Sequence, residues 1–180
     1  MGKVSDLYQT PPWLVDRLNG EFGFALDLAA DSENSIAPGH LAGPCSAQSY
    51  PEYDCNCGLC MRPNWLGESD SVFCNPPYSD VLPWVKRCRE LGMSHPVVLL
   101  LHLDPTTEWF RELLDGSTGH RPAELRIPKR RVSFVHPKGC PCRACSRKTT
   151  GSNPRASLIA IWAPNALGEP HETRTVWGWE

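Results

Sequence analysis

Apolar positions recur at helical spacing early in the chain. Trp13, Leu14 and Leu18 mark one helical face. The preceding Thr10-Pro11-Pro12 reads as its start, with Thr10 as N-cap and Pro11 at the first helical position. Asn19-Gly20 reads as the stop. Phe22 to Leu28 (FGFALDL) then predicts a strand ending in Asp27. Ser71 to Asn75 predicts another, closed by Pro76-Pro77 because proline cannot continue a central ladder. Ser79 or Asp80 is placed to cap a helix running towards Leu91 and closing at Gly92. Pro96 to Leu103 is an unbroken apolar run, the pattern of a strand covered on both faces. Thr106 or Thr107 starts the next helix, with Trp109, Phe110, Leu113 and Leu114 towards the core.

Ala123 to Ile127, Val132 to Val135 and Ala156 to Ala163 predict three more strands, the last two as an antiparallel hairpin. Residues 164–180 read as a loosely packed tail with Trp177 and Trp179 as docking points. Residues 31–64 lack periodicity and read as a long insertion that something else must order. Strands alternating with helices predict a mostly parallel α/β sheet closed by the hairpin. The expected organisation is a single domain over 1–180, with cysteine-rich insertions at 40–64 and 136–150.

Composition narrows the class. Hydrophobic residues make up 41% and charged residues 21% of 180, which excludes a disordered or fibrous chain. No apolar run approaches the roughly 18 residues of a membrane span, and the first residues show no secretory h-region. A cytoplasmic protein with no membrane partner is expected. The formal net charge of −2 hides an asymmetry. Residues 121–155 carry ten bases and one acid, Glu124, so this segment is basic and the remainder acidic. Such a segment predicts a polyanion partner, with Arg130, Arg131, Arg147 and Lys148 as the candidate contacts to it.

Nine cysteines stand out in a cytosolic chain, where they read as metal ligands or buried small hydrophobes. Six form one pattern twice: Cys55-x-Cys57-x2-Cys60 and Cys140-x-Cys142-x2-Cys145. Tetrahedral zinc needs four ligands. Cys45 would complete the first group, and His136 or His40 the second; alternatively the six cysteines share two ions. The expected role is structural, ordering the long insertions. Cys74 and Cys88, in apolar surroundings, read as core.

Asn75-Pro76-Pro77-Tyr78 is the most informative tetrapeptide. It lies between a strand and a helix, at the carboxyl edge where open α/β sheets bind ligands. An aromatic exocyclic amine is a poor nucleophile because its lone pair is delocalised. The Asn75 side-chain oxygen and the Pro76 carbonyl can accept its two hydrogens and free that lone pair. Two prolines, Pro76 and Pro77, stiffen this backbone, which is electrostatic preorganisation. Tyr78 offers a flat face for an extruded base.

The chain resembles the phage-type DNA N-6-adenine methyltransferases (Dam-like enzymes). The resemblance rests on DLYQTPPWLVDRLN at 6–19, FGFALDLAADSEN at 22–34 and VFCNPPYS at 72–79. It implies a Rossmann-like sheet, S-adenosylmethionine as cofactor and DNA as partner, in a monomer acting inside a bacterial or phage-infected cell. By position it implies that Gln9, Thr10 and Pro11 contact the cofactor. Asp27 would accept bonds from its ammonium, and Ala29 would keep the adjoining turn narrow. The chain lacks the glycine-rich F-x-G-x-G loop of many methyltransferases, and the family pattern does not require the cysteines. Two alternatives stay open: cytosine N4 or a protein glutamine amide as acceptor, and a non-catalytic zinc-dependent DNA-binding protein on a methyltransferase scaffold.

Overall fold

A computed structural model describes residues 8–41, 57–60, 65–115, 120–136, 155–164 and 172–179. The described strands are β1 (Phe24–Asp27), β2 (Gly39–His40), β3 (Ser71–Cys74), β4 (Val97–His102), β5 (Glu124–Pro128), β6 (Ser157–Trp162) and β7 (Arg174–Trp179). The helices are α1 (Pro12–Phe22), α2 (Leu82–Gly92) and α3 (Glu108–Asp115). The strands form one sheet in the order β2-β1-β3-β4-β6-β5-β7. Every pairing is parallel except those of β6, which runs antiparallel to both β4 and β5. Six carboxyl ends therefore lie on one edge. This is the mostly parallel α/β sheet expected, with its reversed strand inside the sheet.

Burial follows the apolar pattern. All four residues of β3, the first five of β4 and all six of β6 are buried. One sheet face is covered by α2 and α3, through Trp84, Val85, Cys88, Leu91 and Leu113. The other is covered by Leu14 and Leu18 of α1, together with Val132 and Phe134. Trp13 lies off that face and is 50% exposed.

Helix boundaries differ from expectation for local reasons. The α1 N-cap is Pro11, not Thr10, because the Thr10 hydroxyl accepts instead from the side chain of Asn75. The helix ends at Gly23, whose φ of 59° is left-handed and whose N–H donates to Asn19 O. The N-cap of α2 is Val81, without a side-chain cap.

Two strand expectations are corrected. Val132 to Val135 does not form a strand of the sheet, because both edges of β6 are already taken by β4 and β5. Val135 instead pairs outside the sheet with Gln9, through two backbone bonds of 2.9 Å. The hairpin partner of β6 is β5. Residues Arg174–Trp179, expected as tail, form β7 on the outer edge of β5. Buried Arg126 fastens this edge: its guanidinium donates to Glu21 and Glu124 and lies 5.3 Å from the Trp179 ring centre. Arg126 is therefore a structural cation, although the charge count places it in the basic segment.

Gly92 tests how tightly α2 sits on the sheet. A Cβ there would stand 2.5 Å from Trp162 Cβ, an atom fixed to the backbone of β6. Gly92→Ala should lower unfolding free energy by about 1–3 kcal/mol. That outweighs the roughly 1 kcal/mol by which helices favour Ala over Gly. Urea unfolding checks this; equal or greater stability would show that α2 moves freely outwards.

Candidate active site

Asn75 follows directly on β3, and its side-chain amide is held at both ends. Nδ2 donates to the Thr10 hydroxyl at 3.2 Å and to the Tyr8 carbonyl at 3.4 Å. A carbonyl can only accept, so it orients the amide nitrogen towards residues 8–10. Oδ1 accepts from the Tyr78 hydroxyl at 2.9 Å. That hydroxyl also lies 3.5 Å from the Leu100 carbonyl.

Tyr78 is packed inwards. Its ring stacks on His102, at the carboxyl end of β4, with centroids 3.8 Å apart and planes 21° apart. Phe134 meets both rings edge-on, at 5.9 and 6.1 Å. Burial pushes the Tyr78 phenol well above its ordinary range, so it remains a donor. Burial, then the nearby Arg155, lowers His102 to about 4, so this imidazole is neutral at physiological pH. One face of Tyr78 is thus occupied by His102. The sequence reading missed His102 and Phe134; the strand-end position of His102 was the available signal.

The N-terminal segment closes the site from the other side. The Gln9–Val135 bridge ties residues 8–10 to residues 132–136, and the Tyr8 ring stacks on His136 at 4.2 Å. Thr10 thus contacts Asn75 directly, with Gln9 and Pro11 its neighbours in the chain.

Asp27 ends β1 on the same sheet edge. Its carboxylate accepts the backbone N–H of Ala29 at 3.4 Å and of Ile36 at 3.2 Å, bracing the turn that stands where a glycine-rich loop is lacking. Burial pushes its carboxyl up to about 6, against those two bonds and nearby His40.

The candidate metal ligands are unevenly visible. Cys45, Cys55, Cys140, Cys142 and Cys145 lie outside the described residues, as do Arg147 and Lys148. Among the described residues no group of three or more metal-ligating side chains is assembled. Zinc-stabilised loops are accordingly not shown. Cys57 is buried and Cys60 exposed, with their side chains in hydrogen-bond contact. Cys74 and Cys88 are fully buried core residues, as expected. Arg130 and Arg131 are exposed just beyond the carboxyl end of β5. No described helix is long and apolar enough to cross a membrane.

A mostly parallel sheet with an asparagine amide fixed at its carboxyl edge, followed by two prolines, is consistent with a methyltransferase fold. The family model for DNA N-6-adenine-methyltransferase (Dam) matches residues 1–175, and the chain belongs to that family. A DNA N-6-adenine-methyltransferase of Escherichia phage T1 is 31% identical over 111 residues, 61% of this chain and 41% of the relative. One of Haemophilus phage HP1 (strain HP1c1) is 25% identical over 165 residues, covering 89% of this chain and 80% of the relative. The first match thus spans about two-fifths of its relative's length.

The family implies S-adenosylmethionine as methyl donor. The β1 edge fits such a group, because the buried Asp27 carboxylate has only backbone N–H partners among its hydrogen bonds and suits an ammonium. Folded Asp27 holds its proton more tightly than an unfolded aspartate. Ionising it therefore costs folding stability as pH rises through its raised value, and the carboxylate so formed would be the charge that pairs with an ammonium. Calorimetric affinity for S-adenosylmethionine should fall about tenfold in all as pH drops from about 7 to about 5, because the carboxyl titrates at about 6. Asp27→Asn should bind more weakly near neutrality and lose this dependence. A flat wild-type profile would exclude the Asp27 charge from binding.

Proposed function

We propose that this chain transfers a methyl group from S-adenosylmethionine to the N6 amine of adenine in DNA. The observation that carries the reading is the hydrogen bond from Tyr78 to Asn75 Oδ1. A hydrogen-bond donor already lies where an amine hydrogen would, on an acceptor whose own nitrogen is anchored to Tyr8 and Thr10. Once Tyr78 yields, Oδ1 can accept one amine hydrogen and the Pro76 carbonyl the other. The amine then shifts towards tetrahedral geometry and its lone pair becomes available. S-adenosylmethionine, when bound, would supply the electrophilic methyl: its methyl–sulfur bond breaks as the bond to N6 forms, the neutral thioether leaves, and the methylated amine sheds its extra proton to solvent. Asn75 stays neutral throughout, so the activation needs preorganised dipoles rather than an ionised base. Tyr78, His102 and Phe134 supply the aromatic surface for an extruded adenine. The names of both phage relatives support adenine over cytosine or glutamine as acceptor.

Gln9, Thr10, Pro11 and Ala29 complete the cofactor edge in this reading, and Arg130 and Arg131 meet the DNA backbone. Asn75→Ala should lower single-turnover methylation of DNA by about 10² or more, as for loss of one preorganised oxyanion-hole donor. S-adenosylmethionine binding should persist. Tyr78→Phe keeps the ring, removes the competing hydroxyl and should retain turnover. Asn75→Ala acting at the wild-type rate would overturn the mechanism.

The reading includes a structural zinc held by thiolates that include Cys57 and Cys60. Arg87 supports it. This guanidinium is buried and electrostatically coupled to Cys60, and its Nε and Nη2 find no acceptor among the described residues. A metal–thiolate group is anionic, and its sulfurs can accept N–H bonds. Elemental analysis should find zinc at one per chain or more, and Cys57→Ser should reduce it. Zinc-free protein with wild-type activity and proteolytic pattern would remove the metal from the reading.

A further inference from the structure

A groove of about 580 Å³ lies between the start of α1 and the segment leaving β5. Its lining includes Trp13, Lys129, Arg130, Arg131, Ser133 and Trp179. That volume lies within the range of small-molecule sites. The two tryptophans behave differently. Trp179 is engaged by cations, with the guanidinium groups of Arg17 and Arg126 5.5 and 5.3 Å from its ring centre. Trp13 is 50% exposed and has no ring contact among the described residues. Its backbone is nevertheless fixed, because Leu14 beside it and Leu18 one turn on are fully buried. Arg130 and Arg131 are exposed, and no described carboxylate lies within ion-pair distance of either.

Position gives this surface its meaning. β5 and β7 run parallel, in the same direction as β3, so Pro128 and Trp179 finish on the edge where Asn75 stands. Trp13 follows closely on Thr10, whose hydroxyl holds the Asn75 amide. The groove therefore opens on the sheet edge that carries Asn75, and its Trp13 and Ser133 are close in the chain to Thr10 and Phe134 of the site. A rigid, half-exposed indole recognises the flat face of a base, and paired guanidinium groups recognise a phosphate. Base and phosphate occur together in nucleotides, and the exposed run Lys129, Arg130 and Arg131 favours a polyanionic chain of them over a single one.

We propose that this groove binds a nucleotide flanking the target in the same DNA strand. Its base stacks on Trp13 and its phosphate meets Arg130 and Arg131. The proposal rests on the DNA reading above and adds a subsite to it.

The test is anisotropy titration of a short fluorescent single-stranded oligothymidylate at several salt concentrations. Thermal unfolding shows that each variant is folded. Trp13→Ala should weaken binding roughly five- to hundredfold without changing the salt slope. Trp13→Phe should recover most of the loss. The double variant Arg130→Ala, Arg131→Ala should flatten the slope by about 1.4 units, the value for two contacts to a single strand. A Trp13→Ala protein within twofold of wild type overturns the proposal. If the double variant then still flattens the slope, the backbone contacts of the DNA reading stand and only the subsite falls. A wild-type chain that binds through Trp13 but methylates no DNA would uphold the groove and sink the methylation reading.

Discussion

The architecture of the site depends on one amide group. Asn75 Nδ2 is held by Tyr8 and Thr10, and Oδ1 by Tyr78. These contacts draw the segment before α1 and the turn before α2 onto the end of β3. An asparagine at the end of a short strand would otherwise rotate about two side-chain torsions. Anchoring the nitrogen leaves the oxygen as the directed group, and the following prolines limit backbone movement that could redirect it. In the proposed reaction, substrate entry would replace the Tyr78 hydrogen bond with another. The acceptor is never left bare within an aromatic pocket, where an unmade bond would cost about 1–3 kcal/mol.

The sheet makes this anchoring rigid. β3 and β4 are buried, so neither can shift without disturbing both sheet faces. Parallel pairing aligns their carboxyl ends, which puts Asn75 and His102 on adjacent strands at one edge. The reversed β6 lets β5 and β7 join with the same polarity, and Arg126 holds them to the end of α1 through Glu21. Glu21 is held below the ordinary carboxylate range chiefly by the Arg126 hydrogen bond.

Central elements were legible because their signals are local. The apolar run of β4, the proline stop after β3 and the helical spacing of α3 each carry enough information alone. Val132 to Val135 misled because alternating burial resembles a strand, while the free edge a strand requires depends on β6. Arg174–Trp179 failed conversely: its pairing depends on β5, far away in sequence. Asn75 and Asp27 were readable as strand-end polar residues. His102 carried the same strand-end signal, but its stacking on Tyr78 and the role of Trp13 depend on neighbours brought by other elements. Thr10 shows the same limit. Its sequence context suggests a helix cap, yet its hydroxyl is committed to a side chain on another element.

The reversal of β6 has a consequence for how such a protein can diversify. β5 ends at Pro128 and β6 begins at Ser157, so both ends of the intervening connection are anchored at the active edge. The entropic cost of closing a loop between fixed ends grows only logarithmically with its length, by about 0.6 kcal/mol per doubling. Beyond His136, where the contacts of Val132, Phe134 and Val135 with the core and Gln9 have been made, residues can therefore be gained or lost with little effect on strand register or on the Asn75 amide. Selection can vary what surrounds the substrate by changing loop length, while the chemistry stays on strands that cannot move.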